Sequence, residues 1–254
     1  MDELRSIRRD LPGRRGNLLG VMALAVGERA RAFKAISPGM LPPLGIIFGL
    51  LVAFMAAQVW GDLDRAHAAV NREASALRAV VVLARSFPGE AETQLRALVH
   101  RQIEDVVSQE WPAMAGGSAT LTMNPAPLAE ALRVSLGLTP RSDGQVAAQR
   151  EIVTAVQNAL DARRQRIIVS QSGVNWVKWT GLLLQAICTL LAIAMVHSDN
   201  RTSAAVAMGL FATGVAVSVV LIASHHRPFS GDIAVRPDVL LQVLPEEPTP
   251  TLRR

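Results

Sequence analysis

The sequence is short of the residues on which most protein chemistry runs. Its one cysteine, Cys188, allows no internal disulfide and no thiolate metal site. Set in an apolar run, Cys188 reads as a small hydrophobic side chain. There are two lysines, Lys34 and Lys178, so the net charge of +5 rests on arginine. The chain has no HExxH, no nucleophile elbow, no Gly-rich phosphate loop and no pair of carboxylates with a cleft to hold them. The adjacent His225 and His226 point different ways on a helix and lack a third ligand. His100, Arg101 and Glu104 have only the spacing of helix-surface neighbours. These absences predict a non-enzyme, with no catalytic residue, no metal and no cofactor.

Hydrophobic residues make up 50% of the 254, and they are concentrated in runs. Residues 41–60 and 203–224 carry no charge, and Trp176–Val196 carries only Lys178. At 1.5 Å per residue each is long enough to cross a bilayer core of ~30 Å. Where arginines flank such runs, anionic headgroups are a more economical partner than nucleic acid. Trp176, Lys178 and Trp179 at the start of one run, and Trp60 at the end of another, are placed for the membrane interface.

Residues 1–40 form a basic segment. Its apolar patch at 17–26 is too short to span and reads as an interfacial stretch or as the relic of a further membrane helix. Charged residues follow that patch at once and no convincing cleavage site appears, which argues against a cleavable signal. The first span, 41–60, opens on Pro42 and Pro43, which a first helical turn tolerates. Gly45 and Gly49 stand at GxxxG spacing, which would let another helix pack closely on that face.

Residues 61–175 turn polar, with helical periodicity and no β-type alternation. Over 62–87 a seven-residue repeat runs through Leu63, Val70, Leu77 and Ala84, beside Ala66, Glu73, Val80 and Phe87. A helix over 90–110 follows, then a short one over 128–136. The long helix over 142–171 repeats the pattern through Val146, Val153, Leu160 and Ile167, beside Gln149, Val156, Arg163 and Ser170. This predicts an antiparallel helical hairpin or bundle with coiled-coil-like seams.

Glu73 and Arg163 are the charged intruders on those seams, each twelve residues, or roughly 18 Å, from a span. They are expected to meet as a partly buried ion pair that fixes register; the alternative is that each bends out to solvent. The same measure returns Trp111 toward the headgroups, as an interface anchor or a core tryptophan. Phe229, in the loop after the last span, is likewise placed at the interface. Residues 225–254 read as a C-terminal tail, with one short helix over 239–244.

The fold expected is an all-α integral membrane protein of three transmembrane helices, or four with one upstream, and an inserted antiparallel helical bundle. Three spans put the bundle and the tail on one side. Arg65, Arg72, Arg163, Arg164, Arg166, Arg227 and Arg236 on that side favour the cytoplasm.

Four passages together resemble the bacterial bestrophin-like domain family. They are LDRAHAAVNREASAL with Glu73-Ala74; Glu110-Trp111-Pro112; DARRQRI leading into Trp176; and Arg227-Pro228-Phe229-Ser230-Gly231. The resemblance covers residues 44–241 and implies a multi-pass protein of the bacterial inner membrane. Members resemble four-span proteins, and this chain departs from them at its N-terminus, where the first of the four is missing or replaced. The family name implies distant similarity to bestrophins, pentameric anion channels with a cytoplasmic helical domain. It brings no pore residue and no catalytic residue that matches a position here.

Two functions remain. One is a membrane-anchored helical interaction or sensory module without catalysis. The other is an oligomeric anion channel or pore. The partners expected are the lipid bilayer, further copies of the chain in a homo-oligomer and, for a channel, anions; nucleic acid is not among them.

Overall fold

In the computed structural model the backbone is described for residues 28–231 and 233–244, and side chains from residue 39. The apolar patch at 17–26 and the end of the tail, 245–254, lie outside the described residues. Eight α-helices follow in order: α1 Glu28–Ala84, α2 Glu90–Asp105, α3 Trp111–Ala115, α4 Ala126–Leu136, α5 Asp143–Ser170, α6 Trp176–Val196, α7 Arg201–His225 and α8 Asp238–Leu241. A π-helical turn, Val106–Glu110, joins α2 to α3. No strand occurs among the described residues. The chain is an all-α integral membrane protein, and α1, α6 and α7 are each long and apolar enough to cross a membrane.

The first helix differs from expectation at its start. Instead of beginning at Pro42, it runs from Glu28 through Pro38, Pro42 and Pro43. A proline inside a helix removes one hydrogen bond and pushes on the preceding turn. Apolar surroundings still favour keeping every remaining backbone group bonded within the helix.

The chain divides into two compact units. Of the described residues the first holds 28–55 and 175–220, the second 56–174 and 221–244. In the first unit, Phe48 packs on Phe211 with ring centroids 5.2 Å apart. Gln185 Nε2 donates to the Leu44 carbonyl at 3.3 Å. Leu182, Ala186, Thr189 and Ile193 form the buried side of α6. Most other side chains of the unit face outward, including Ile46, Phe54, Leu184 and Leu210, as residues destined for lipid do. Asn175 and Asn200 start α6 and α7 by accepting backbone N–H bonds from Val177 and Thr202.

The second unit has the packed core. Leu77 and Val80 from α1, Leu95, Val99 and Ile103 from α2, Leu128 from α4 and Ile152 and Val156 from α5 are all fully or nearly buried. Gly89 turns the chain between α1 and α2 with φ +105°, a conformation that costs glycine little. Ser142 caps α5 by accepting from the Gln145 N–H, and Gln145 Nε2 reaches back to the Ser86 carbonyl at 2.8 Å. Gln149 Nε2 donates to the carbonyls of Ser135 and Leu138 at 3.0 and 2.9 Å, closing the end of α4.

On α1 the seam lies where the repeat puts it: Ala66, Val70, Glu73, Leu77, Val80 and Ala84 are buried. On α5 the buried face is wider than the repeat. Of the expected positions Val156, Arg163 and Ile167 are buried and Val146, Gln149, Val153, Leu160 and Ser170 half-buried, while the row one residue earlier, Ala148, Ile152, Ala155, Ala159, Ala162 and Arg166, is buried as well. The row of small side chains turns inward because it lets helices approach closely, and the bulkier valines fill the flank. The C-terminal segment also differs from expectation. Val235, Leu240 and Val243 join the core of this unit, and Arg78 Nη2 donates to the Gln242 carbonyl.

Candidate functional site: a buried ion-pair network

The sequence placed one charge on α1 and one on α5 in the same seam, and the structure buries four. Glu73 from α1, Glu110 from the π-turn, and Arg163 and Arg166 from α5 are all nearly or wholly inaccessible to solvent. Arg166 Nε donates to Glu73 Oε2 at 2.7 Å and Arg166 Nη2 to Glu73 Oε1 at 3.2 Å, a two-pronged contact. Arg166 Nη2 also lies 2.7 Å from Glu110 Oε2. The other oxygen of Glu110 accepts from Arg163 Nε at 2.6 Å. Arg163 Nη2 donates further to the Met123 carbonyl at 2.8 Å. Both carboxylates therefore have both oxygens occupied, and the four formal charges sum to zero.

The expected Glu73–Arg163 pair is not formed. Arg166, one residue before the expected position Ile167, meets Glu73, and Arg163, buried where the repeat puts it, turns instead to Glu110. Arg166 extends the alanine row at helical spacing, four residues beyond Ala162, and that is the signal that points to it. Glu110 had no such signal. The π-turn inserts an extra residue into the end of α2, and with it Val106, Glu110, Trp111 and Met114 all become buried.

Around the network the walls are apolar. Arg166 Cζ lies 5.4 Å from the centroid of the Trp111 ring, a cation–π contact. Arg166 Nη1 points at Met114 Sδ at 3.4 Å. Trp111 meets Phe229 edge-on, with centroids 5.4 Å apart. Both rings are buried in the second unit's core, which takes the second of the two places expected for Trp111 and corrects the interface place expected for Phe229. The loop holding Phe229 is fixed by the Val235 N–H to Pro228 carbonyl bond at 2.8 Å and by Gly231 at φ +96°.

Burial in these walls raises the Glu73 carboxyl above its ordinary value. Arg166 opposes the rise and Glu110, a like charge, adds to it. For Arg166, burial alone would lower the pKa, but the two carboxylates reverse that and raise it. The asymmetry has a simple cause. Arg166 is bonded to two carboxylates, whereas Glu73 is bonded to one guanidinium, which it shares, and feels Arg163 only through space.

The remaining predicted positions lie elsewhere. Gly45 and Gly49 are exposed, and a methyl group at either would meet nothing within 4 Å. Within one chain they pack on no helix, because the neighbouring positions Leu44 and Phe48 make the contacts. Trp60 is exposed in the second unit; Trp176 and Lys178 are exposed and Trp179 half-buried in the first. His225 and His226 bond the carbonyls of Leu221 and Ala223 through Nδ1, and so cap the end of α7. No cluster of three metal-ligating side chains occurs among the described residues.

Comparison with curated proteins and with solved structures found no match. Comparison with family models did: the bestrophin-like domain matches residues 15–240. That range takes in all three apolar helices, the network and the Phe229 loop, and the chain belongs to the bestrophin-like domain family.

Proposed function

We propose that this chain is a membrane-anchored helical interaction or sensory module without a catalytic step. In it the buried network couples the two helices that lead into membrane spans. The observation that supports this reading is the two-pronged Arg166–Glu73 contact. Glu73 sits on α1, the helix that contains the first apolar run, and Arg166 sits on α5, which leads through five residues into α6. A change in the spans that slid α1 against α5 would have to break this contact. A buried pair of this kind tolerates few intermediate positions, which gives the seam discrete settings. All four carboxylate oxygens are engaged by guanidinium groups, so neither acid is placed to accept a proton from a substrate.

A second reading, an oligomeric anion channel distantly similar to bestrophins, is favoured by one observation. Helix α7 leaves Gly209, Thr213 and Gly214 exposed and Ser218 half-buried, a small and mildly polar face that only a ring of copies can gather about an axis. The positive charge near the spans supports a cytoplasmic second unit in the bacterial inner membrane under either reading. Flux into proteoliposomes holding the full-length protein, with a cation control on the same vesicles, separates the two. The module gives no selective flux. Selective anion uptake that changes with Glu73→Gln overturns it in favour of the channel.

A further inference from the structure

Ala76, Ala155 and Ala162 are buried in the second unit, and only their outer edge is open between α1 and α5. On their outer side the two helices leave an open groove of about 700 Å³. Its floor is set by Ala76 and Ala79 from α1 and by Ala155 and Ala162 from α5. These fall on 3–4 spaced rows, Arg72-Ala76-Ala79-Leu83 on one helix and Glu151-Ala155-Asn158-Ala162 on the other. Such rows are what a second coiled-coil seam requires. The two walls differ in sign. The α1 wall carries Arg72, and the α5 wall carries Glu151 and Asp161.

We infer that this groove is an interface with a second copy of the same chain, in which α1 of each copy lies against α5 of the other. Two features single out a second copy. A wall of each sign is self-complementary, since a two-fold arrangement sets basic α1 against acidic α5 twice over. Two copies inserted in one membrane also share an orientation, so α1 of one runs antiparallel to α5 of the other. That is the relation the two helices already have within a chain. The alanines permit a close approach, and Leu83 and Asn158 supply the larger side chains of the shared layer.

The test uses two differently tagged full-length chains co-expressed in a Cys188→Ser background. One carries Ala79→Cys and the other Asn158→Cys, so that a link between tags cannot arise within one chain. A short bis-maleimide is expected to join the two tags in membranes. It should fail when Glu104→Cys, exposed on α2, replaces either partner. Arg72→Glu makes both walls acidic and is expected to lower the linked fraction about tenfold. Adding Glu151→Arg and Asp161→Arg exchanges the walls and restores it. Circular dichroism and maleimide labelling of each variant confirm folding and insertion. Equal linking at Glu104→Cys, linking only to an unlike protein, or none in folded protein overturns the inference.

Discussion

Arg166 holds Glu73 with two nitrogens, Nε at 2.7 Å and Nη2 at 3.2 Å from its two oxygens, and neither side chain reaches solvent. The contact spans 93 residues of sequence and ties together helices that only tertiary folding brings side by side. Its energetic weight lies less in the attraction itself than in what its loss would strand: a charge in an apolar wall with no water to receive it.

Removing one partner should therefore be severe. Arg166→Ala leaves Glu73 without its guanidinium and is expected to cost about 3–5 kcal/mol. A double-mutant cycle separates the partners. Glu73→Ala with Arg166→Ala should show coupling above about 1 kcal/mol, whereas Glu73→Ala with Arg163→Ala should couple more weakly, because those two meet only through Arg166 and Glu110. Chemical unfolding of the purified protein in detergent measures both. Coupling to Arg163 as strong as to Arg166 would contradict the pairing.

The same burial gives stability a pH dependence of definite sign. The Glu73 pKa is raised in the folded protein from an ordinary value of 4.5. The folded state thus holds this proton more tightly than the unfolded state does. Its contribution is fully present below 4.5 and is lost as pH rises through the folded value. Glu73→Gln carries no such proton. Relative to wild type, the variant should gain stability steadily as pH is raised from about 4.5. Thermal unfolding of both proteins across the range tests this, and a difference flat with pH would refute it.

How much of this could be read from the sequence follows from what periodicity encodes. The spans were legible because 20 uncharged residues have few other readings, and the α1 seam because its repeat is made of bulky residues. On α5 the repeat finds Val156, Arg163 and Ile167 and passes over the alanines, because valine and leucine mark a row as apolar more loudly than alanine does. The buried row of Ala148, Ala155, Ala159 and Ala162 is chosen by close packing instead. In DARRQRI three arginines stand within four residues, so a shift of one position decides which faces inward. Glu110 depends on a π-turn, for which the sequence VVSQE offers no signal of its own. Val235, Leu240 and Val243 are too few and too irregularly spaced to announce that the C-terminal segment closes the core.

Gln149 lies half-buried on the flank of that face. Assigned by the repeat to the seam, its side chain instead spends its amide on the Ser135 carbonyl in the last turn of α4 and the Leu138 carbonyl just beyond it. Gln149→Ala removes the donor for both. The expected loss is about 1–3 kcal/mol, accompanied by faster amide hydrogen exchange over 134–138. Exchange unchanged in that segment would show that water replaces the amide without cost.

The tryptophans give a test that needs no unfolding. Trp111 is 9% exposed and Trp176 is 72% exposed, although both open a helix and the interface was one of the two places expected for Trp111. In single-tryptophan variants reconstituted with brominated lipid, Trp176 should be quenched strongly and Trp111 hardly at all, because a heavy atom quenches only on near contact. Trp111 should respond instead to its ring partner. Phe229→Ala opens a space beside it, and the cavity is expected to cost about 3–5 kcal/mol and to red-shift Trp111 emission as water enters. Phe229 at the membrane surface would behave in the opposite way: its loss would leave unfolding unchanged, and quenching of Trp111 by lipid would already be strong in the unsubstituted chain.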